Sequence, residues 1–589
     1  MAASVKGPGA ARAQRLLDYV PGIAAVTSYE RAWLGKDVVA GLVLSALLVP
    51  QGMAYAELAG LPAITGLYTS ILCLVGYAIF GPSRVLVLGP DSSLGPMIAA
   101  TIAPLLLADG DPARAVALAS FLGILVGVIM TVAGVAKFGF VADLLSKPIQ
   151  IGYLNGLALT IIVGQLPKLL GFSVDADGLI DEFSGFVQGV ADGATNNTAA
   201  VIGISSLVGI LLLQRLMPKV PAVLVAVVLA SIAVNLLNLE DDGVDTIGVL
   251  PQGFPPFTIP DVSLSDVSML LAGAVSISLI ALADTMSTAS SFAARHGERV
   301  RGNQEMIGIG AANVAAGFFQ GFPVSTSGSR TAVADNAGSR SQVTGLVGAA
   351  VITIVIVFAT EVMQYVPQPT LGAVVIAAAL SLADIPATRR LWHQRRVEFS
   401  LSMIALLGVA LLGVLPGIVI AVGLSILNVF RRVWWPHQAE LGQADGIAGL
   451  HDTKSYPGAY QLPGLIIYRF DAPLIFANSR TFAEEMRAIA EERPDVKWIL
   501  IAAEPITDVD TTASDMLADL DEWLNERGTS LVFAEMKDPV REKIERYELT
   551  RTIDPAHFFP TLDDAVARYR EETGATWERP EAPDDPQSR

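Results

Sequence analysis

The stretches VLVLGPDSS at residues 85–93 and GFPVSTSGSR at residues 321–330 decide how this chain folds. Each passes from a short extended piece through Gly and Pro to small hydroxyl residues, and then continues into a short helix. They lie about 230 residues apart, at corresponding positions of two apolar halves. Paired Gly- and Pro-interrupted segments are typical of transporters built from inverted repeats. The pair therefore predicts a polytopic membrane protein with a binding site near its centre.

The start of each short helix is a candidate anion site. A helix that begins inside the membrane leaves backbone N–H groups free at its N-terminus, and these groups and the helix dipole attract negative charge. Two facing helix starts would hold one anion from both sides, with Ser and Thr hydroxyls as further donors. The alternative is a pair of proline kinks without a ligand. The run from Ser325 to Arg330 favours the site, because proline kinks seldom carry such residues.

The composition excludes most soluble classes of protein. Of the 589 residues, 52% are hydrophobic and 16% are charged, and the mean hydropathy is +0.52. The apolar residues come in long runs, which argues against a large soluble protein with an oversized core. The net charge of −18 argues against nucleic-acid binding. The single cysteine, Cys73, excludes an intramolecular disulfide, and the five histidines show no metal-ligand spacing. We expect no metal and no cofactor beyond a coupling ion.

Fourteen apolar stretches are predicted to span the membrane, two of them short. They lie near residues 38–57, 63–80, 94–107, 114–134, 142–166, 199–214, 221–238, 267–289, 305–320, 328–337, 342–361, 370–385, 398–414 and 416–433. The predicted fold is an α-helical polytopic membrane protein with its transport domain at residues 37–435.

Lys and Arg residues mark the predicted cytoplasmic face. With fourteen spans the basic clusters all fall on one face: Arg12, Arg15, Arg31, Lys36, Lys137, Lys147, Arg215, Lys219, Arg295, Arg299, Arg301, Arg389, Arg390, Arg395, Arg396, Arg431 and Arg432. The opposite face receives acidic loops, and residues 239–265 contain no Lys or Arg. We therefore expect a cytoplasmic segment at residues 1–36, both termini in the cytoplasm, and a location in the cell membrane.

A soluble domain is predicted after the last span. Trp434-Trp435-Pro436 is typical of an interfacial belt and a break, and residues 436–463 are expected to be a linker. Residues 464–575 alternate strands and helices, which predicts a small α/β domain. The predicted strands are Leu465–Phe470, Trp498–Ala502 and Ser530–Ala534, and the predicted helices are Ser479–Glu492, 512–526, 538–547 and 562–571. Residues 576–589 are expected to be disordered.

Three ionisable residues, Asp91, Asp284 and Arg330, lie in or beside the spans. A charge there costs at least about 3 kcal/mol unless it is paired or hydrated, which indicates a function. Asp284 and Thr288 lie one helical turn apart, and a carboxylate with a hydroxyl suits a sodium ion. Asp284 could equally carry a proton, or be a structural partner of Arg330.

Gln51 and Tyr55 lie one turn apart in the first span. Their polar tips could line the same cavity as Arg330. The alternative is that they make polar contacts between packed helices.

Several motifs resemble those of one transporter family. Residues 49–56 (VPQGMAYA), 302–306 (GNQEM) and 327–333 (SGSRTAV) are similar to motifs of the SulP anion transporters, or sulfate permeases. The soluble domain resembles the STAS domain that usually follows. The likeness implies a UraA-like fold of seven plus seven inverted segments, with a core (segments 1–4 and 8–11) that moves against a gate (segments 5–7 and 12–14). It also implies a homodimer that carries sulfate, bicarbonate, chloride or dicarboxylates by symport or exchange.

The resemblance also implies roles for particular residues. Expected substrate-binding residues are Gln51, Tyr55, Asp91, Ser92, Ser93, Ser325, Thr326, Ser327, Gly328, Ser329 and Arg330. Expected ion-coupling residues are Asp284, Thr288 and Asp91; the first two resemble the sodium site of bicarbonate-transporting members. Asp91 departs from members that have a small or hydroxyl residue there. An ionised carboxylate repels an anion, so we expect Asp91 to be protonated during binding, or to point away.

The soluble domain departs from a pattern as well. STAS-like anti-sigma antagonists carry Asp-Ser-Ser-Gly at a phosphorylated helix start, where this chain has Asp510-Thr511-Thr512-Ala513. Thr512 occupies the phosphoacceptor position, and helix capping is the preferred interpretation over phosphorylation. A cytoplasmic regulatory partner is expected at this domain.

The expected function is proton- or sodium-coupled transport of a small inorganic anion by an elevator-like movement. Sulfate is the first expectation, by analogy with the family's commonest assignment. The alternatives are a sodium-coupled bicarbonate transporter, a dicarboxylate or chloride transporter or exchanger, a channel-like or motor protein, and a nucleobase permease of the same fold. Arg330 favours an anion over a neutral nucleobase. The chain shows no Ser-His-Asp pattern, metal spacing or phosphate loop, so we expect no enzyme activity.

Overall fold

A computed structural model describes residues 20–106, 111–139, 146–174, 176, 178–217 and 220–577. The chain divides into two compact units, Met1–Ser425 and Ile426–Arg589. The first unit is helical and the second is an α/β domain. Each has hydrophobic clusters of its own.

The helical part of the chain, up to Trp434, consists of two halves with matching element order. In the first half, helices α1–α9 are Pro21–Thr27, Leu34–Leu58, Ala63–Phe80, Gly95–Ile102, Pro112–Val135, Lys147–Leu169, Leu179–Ala191, Asn197–Leu216 and Ala222–Leu237, and strand β1, Leu88–Gly89, precedes α4. In the second half, helices α10–α18 are Leu264–His296, Gly302–Gly317, Gly328–Asn336, Val343–Phe358, Thr360–Met363, Gln368–Leu382, Ile385–Gln394, Arg396–Leu412 and Val414–Trp434, and strand β2, Ser325–Thr326, precedes α12. A short strand followed by a short helix is therefore the third spanning element of each half.

All fourteen predicted spanning segments contain a helix, in agreement with the predicted membrane fold. Within the described ranges, eight helices are long and apolar enough to cross a membrane. Helices α4 and α12 have only eight and nine residues, because each shares its span with the extended segment before it. Residues 142–145 of the fifth predicted segment lie outside the described residues, as do residues 1–19 of the predicted N-terminal segment.

Two amphipathic helices, α7 and α16, were not predicted. They have 13 and 10 residues, so neither is long enough to span a bilayer. Each lies between the fifth and sixth spanning elements of its half. Helix α7 exposes the apolar side chains of Ile180, Phe183 and Val187, which is typical of a helix at a membrane interface.

Most of the helices up to Trp434 lie in two bundles. In the core bundle (α2–α5 and α10–α13), α11 packs against α3 and α5, and α13 packs against α2. In the gate bundle (α6, α8, α9, α15, α17 and α18), α6 packs against α15 and α17. A Cβ atom at Gly66 of α3 would lie 1.8 Å from the carbonyl oxygen of Gly52 in α2. Small residues at such crossings allow the close backbone approach on which membrane bundles depend.

The second unit is built on a six-stranded sheet. Strands β3–β8 are Gln438–Gln443, Leu450–Asp452, Leu465–Phe470, Trp498–Ala502, Ser530–Ala534 and Phe558–Phe559, and helices α19–α22 are Ser479–Glu492, Thr511–Asn525, Asp538–Arg546 and Leu562–Thr573. The strand order is β4-β3-β5-β6-β7-β8. Strands β5 to β8 are parallel, and β3 is antiparallel to both of its neighbours. The predicted α/β elements at 464–575 all occur.

The expectation of a linker at residues 436–463 was wrong. Strands β3 and β4 lie in this segment and complete one end of the sheet, with Gln438 opposite Phe470. Strand β3 has the sequence QAELGQ, whose polar residues alternate with buried ones. It therefore has no apolar run by which it could be recognised, although alternation itself is a strand signal.

The expectation that Thr512 caps a helix was also wrong. Helix α20 begins at Thr511, and the Asp510 carboxylate accepts a hydrogen bond from the Ala513 N–H at 2.8 Å. Asp510 is therefore the cap, and Thr512 is exposed in the first turn. Its phosphorylation stays a prediction. The predicted disorder at 576–589 falls mostly on residues 578–589, which lie outside the described residues.

Candidate functional site

The two interrupted segments meet inside the core bundle. Strands β1 and β2 pair antiparallel, with Leu88 opposite Thr326 and Gly89 opposite Ser325. All four residues are buried. Helices α4 and α12 begin just after the strands, so the chain brings the two predicted half-helices to one place. Their backbone is irregular where protein surrounds it, as the membrane interior requires.

Side-chain amides satisfy the backbone of both interrupted segments. Asn313 of α11 accepts a hydrogen bond from the Val324 N–H at 2.9 Å and donates to the Val324 carbonyl at 3.2 Å. Gln342 donates to the carbonyls of Ser83 and Leu86, both at 2.9 Å. Sequence reasoning missed both amides. The only signal was a polar residue in or beside an apolar helix, which also fits ordinary helix packing.

The start of α12 presents hydroxyl and guanidinium donors. Ser327 caps the helix by accepting from the Arg330 N–H at 3.5 Å, and the Ser327 and Ser329 hydroxyl oxygens lie 3.1 Å apart. Arg330 follows on the first turn of this helix and is only 2% exposed. A buried guanidinium is costly unless charged or polar partners surround it.

Arg330 is only partly satisfied by its neighbours. Its Nη1 donates to the Pro90 carbonyl at 2.6 Å. Its Nη2 lies 3.6 Å from Asp91 Oδ2, close enough for an ion pair but too long for a hydrogen bond. Nε and Nη2 have no hydrogen-bond partner among the described residues. The guanidinium thus retains buried donors for a further acceptor.

A cavity of about 340 Å³ lies beside Arg330, between the core and gate bundles. From the core it is lined by Gln51, Tyr55, Ser329 and Arg330, four of the predicted substrate-binding residues. From the gate it is lined by residues of α8, α9 and α15, which include Gln214 and Ser381, neither of which was predicted. The cavity is large enough for a small oxyanion with water.

The remaining predicted residues lie behind this cavity. Asp91 Oδ1 accepts from the Ser93 N–H at 2.9 Å and from its hydroxyl at 2.7 Å. The Ser93 hydroxyl also lies 3.3 Å from Asp284 Oδ2, and Gln150 of α6 donates to Asp284 Oδ1 at 3.3 Å. Asp91, Ser93, Asp284 and Gln150 therefore form one polar cluster, which contains both predicted coupling carboxylates. Gln150 was missed because an amide near a helix start carries no specific signal.

Thr288 faces the start of α12. Its Oγ1 lies 3.7 Å from the position that a Cβ atom at Gly328 would take. Behind it, the hydroxyls of Thr326 and Thr285 are 3.1 Å apart. Ser92, Ser325 and Thr326 are all buried, and none of them lines the cavity.

The ion-pair partner of Arg330 differs from one interpretation of the sequence, in which Asp284 was its structural partner. The described ion pairs join Arg330 to Asp91 rather than to Asp284. Asp284 instead contacts two neutral donors, Ser93, which precedes α4, and Gln150 of α6. Among the residues that the structure describes, no group of three or more His, Cys, Asp or Glu side chains could hold a metal ion.

Sequence comparison decides the family. Residues 34–405 match the sulfate permease family, and residues 456–565 match the STAS domain. The chain belongs to the sulfate permease family. A probable sulfate transporter of Mycobacterium tuberculosis is 41% identical over 553 residues, which cover 94% of this sulfate permease and 98% of that protein. High affinity sulfate transporter 2 of Stylosanthes hamata is 29% identical over 566 residues, which cover 92% of this chain and 84% of that protein.

Solved structures share the fold of this sulfate permease. The structure of murine Solute Carrier 26 family member A9, an anion transporter in the inward-facing state, matches with a TM-score of 0.86 at 23% identity, covering 97% of this chain and 96% of that one. The transmembrane domain of the cyanobacterial bicarbonate transporter BicA matches with a TM-score of 0.57 at 19% identity, covering 68% of this chain and 98% of that domain. The predicted fourteen-segment fold with a STAS domain is confirmed.

Family membership also decides between classes of function. Sulfate permeases and their named relatives are transporters, so the expectation that this chain is not an enzyme is confirmed. The alternative of a nucleobase permease is set aside, because the match is to another family of the same fold.

Proposed function

We propose that this sulfate permease transports sulfate across the cell membrane and binds it in the cavity beside Arg330. One observation carries the proposal: a buried guanidinium lines this cavity with donors that the described residues leave unused. A sulfate oxygen would accept from Nε and Nη2, the fork geometry in which guanidinium binds oxyanions. The Ser329 hydroxyl and the free N–H groups of the first turn of α12 would add further donors.

Sulfate is proposed over other anions because the most similar relatives reported above are named sulfate transporters. Bicarbonate remains the second candidate. The observation that favours it is the pair Asp284 and Thr288, one turn apart on α10, which would suit a sodium ion that travels with bicarbonate. Dicarboxylate or chloride transport is the third.

The proposed mechanism is alternating access by movement of the core bundle against the gate bundle. The cavity is lined by Val43 and Leu47 in the first half of α2, by Gln214 in the last turn of α8 and by Ser381 in the last turn of α15. These ends belong to the predicted cytoplasmic face. The described conformation would therefore exchange anion with the cytoplasm, with both termini on that side.

Two further assignments belong to this proposal. The permease would act as a homodimer, by analogy with its family. Its STAS domain would bind a cytoplasmic regulatory partner, and the exposed Thr512 at the start of α20 would be a place where phosphorylation could alter that contact.

The experiment that tests the function is uptake of labelled sulfate into proteoliposomes. We expect saturable uptake that is accelerated by an inward proton gradient and not by an inward sodium gradient. Uptake of labelled bicarbonate and of labelled succinate is measured in separate assays to test the alternative substrates. Sodium-driven bicarbonate uptake without sulfate uptake would transfer the assignment to the second candidate.

Asp91→Asn is expected to separate sulfate uptake from the proton gradient. Protonation of Asp91 would remove the repulsion between its carboxylate and the anion and release Arg330 Nη2 for binding. The asparagine keeps an oxygen for the Ser93 N–H but cannot carry the proton. Sulfate uptake should then persist, while an inward proton gradient no longer accelerates it.

Asp111→Asn is the matched control for Asp91→Asn. Asp111 accepts a hydrogen bond from the Ala113 N–H at 2.9 Å, and Asp91 accepts one from the Ser93 N–H at the same distance. Unlike Asp91, Asp111 is exposed at the start of α5. This variant should keep the parent's response to the proton gradient. A parent-like response in Asp91→Asn would instead assign the proton to Asp284, which Asp284→Asn then tests.

A further inference from the structure

Glu57 in the last turn of α2 is held by two other helices. Its Oε2 lies 3.4 Å from the Lys168 Nζ in the last turn of α6. Its Oε1 accepts a hydrogen bond from Gln368 Nε2, at the first residue of α15, at 2.8 Å. The Glu57 side chain is 12% exposed, so both contacts are partly shielded from solvent. Each carboxylate oxygen is therefore used by a different helix.

The three residues connect the two bundles. Helix α2 belongs to the core bundle, whereas α6 and α15 both belong to the gate bundle and pack against each other. A Cβ atom at Gly372, one turn into α15, would lie 3.5 Å from the Lys168 Cβ. Lys168 and Gln368 are thus attached to one body, and Glu57 to the other. Any sliding of core against gate must break both contacts.

These contacts lie at the opposite end of the gate helices from the cavity opening. Ser381, which lines the cavity, is near the end of α15 and about 20 Å along the helix axis from Gln368, at about 1.5 Å per residue. A second cavity of about 700 Å³ lies on the far side and is lined by Glu57 and Gln368 themselves. Glu57 and Gln368 therefore lie in the wall of this second cavity and not in that of the anion cavity.

We propose that Glu57, Lys168 and Gln368 form a latch that closes the outer end of the anion pathway in the described conformation. Glu57 acts as a positioning residue: it does not touch the anion but holds the core against the gate. Opening to the outer side requires the carboxylate to leave both partners. The latch rests on the proposed alternating access, but not on which anion is carried.

The test measures access to the anion cavity from outside, without any substrate. Ala378, which lines the cavity, is replaced by cysteine, and a membrane-impermeant thiol reagent is added to intact cells. The native Cys73 is fully buried and serves as the unreactive background. With the latch intact, labelling of Ala378→Cys from outside should be slow. In Glu57→Gln and Lys168→Met it should become about two- to fivefold faster, the range for loss of a partly exposed ion pair.

The chain offers a matched control on the same face. Arg114 and Asp266 form an ion pair in the first turns of α5 and α10, and both helices belong to the core bundle. Arg114→Gln removes a similar pair that does not cross between the bundles, so it should leave the labelling rate unchanged. Faster labelling in this variant would show general loosening and would overturn the latch.

A charge exchange separates the latch from a folding defect. Glu57→Lys alone and Lys168→Glu alone place like charges together and should label fast, whereas the double exchange restores an opposite-charge pair and should return to slow labelling. Unchanged labelling in the folded single variants would overturn the proposal, as would fast labelling in the double exchange. Since the readout is thiol labelling and not transport, a failure of sulfate uptake leaves these results untouched.

Discussion

Arg330→Ala is expected to lower the initial rate of sulfate uptake by about 100-fold or more. The variant removes the only charged donor that the described residues place in the wall of the cavity. Each hydrogen bond to a charged group contributes about 1.5–3 kcal/mol. The loss of two such bonds, together with the charge, therefore accounts for a decrease of about 100-fold or more. Arg330→Lys keeps the charge but loses the planar guanidinium fork. The uptake rate of this variant should therefore lie between those of the parent and Arg330→Ala, at roughly a tenth of the parent rate.

Two controls separate anion binding from structure. Arg340→Ala removes an exposed arginine just beyond α12 and should transport like the parent. Arg330→Ala also leaves Asp91 without its ion-pair partner, which could disturb the fold by itself. The double variant Arg330→Ala with Asp91→Asn removes that unpaired charge. If uptake returned in the double variant, Arg330 would serve only to neutralise Asp91, and the proposed binding role would be wrong.

Gly66→Ala is expected to prevent the core bundle from assembling. The added Cβ atom would lie 1.8 Å from the Gly52 carbonyl oxygen, and a backbone atom of a neighbouring helix cannot yield as a flexible side chain can. Helices α2 and α3 would have to separate by more than 1 Å, and overpacking typically costs about 1–3 kcal/mol and occasionally more. The yield of monodisperse protein after solubilisation in detergent should fall about tenfold or more.

Gly209→Ala is the matched control. Gly209 also lies within a membrane helix, α8, but a Cβ atom there would meet nothing within 4 Å. This variant should be as abundant as the parent, or slightly more stable, since alanine favours a helix over glycine. Equal yields of Gly66→Ala and the parent would mean that the α2–α3 contact is looser than described.

Most of the fold could be predicted from the apolar runs in the sequence and from the Gly and Pro residues that interrupt two of them. The fourteen spans were predicted because membrane helices need long apolar stretches, and the two interrupted segments because Gly and Pro stand inside them. Helices α7 and α16 were missed, since short amphipathic segments at an interface resemble loops in a hydropathy pattern. Strand β3 was missed for a similar reason: its identity depends on β5, to which it pairs through Gln438 and Phe470, and not on its own composition.

The candidate site could be predicted in part. The motifs led to Gln51, Tyr55, Ser329 and Arg330, which the fold places together at one cavity. They could not separate these residues from Asp91 and Ser93, which lie behind it, because neighbours in sequence can face opposite sides of a helix start. The gate side of the cavity, with Gln214 and Ser381, comes from other helices whose packing no local pattern reveals. Whether these residues bind an anion stays a prediction.

The pairing of β1 with β2 has a consequence for biosynthesis. Leu88 leaves the ribosome long before its partner Thr326 exists; at about 5–20 residues per second, the delay is on the order of ten seconds or more. During that time, the polar backbone of the first interrupted segment lacks its strand partner, a costly state in lipid. The nascent first half therefore has to wait at the insertion machinery, or in a provisional arrangement, until the second half arrives. A chain that stops between the halves leaves a fragment whose first interrupted segment keeps an unpaired backbone edge.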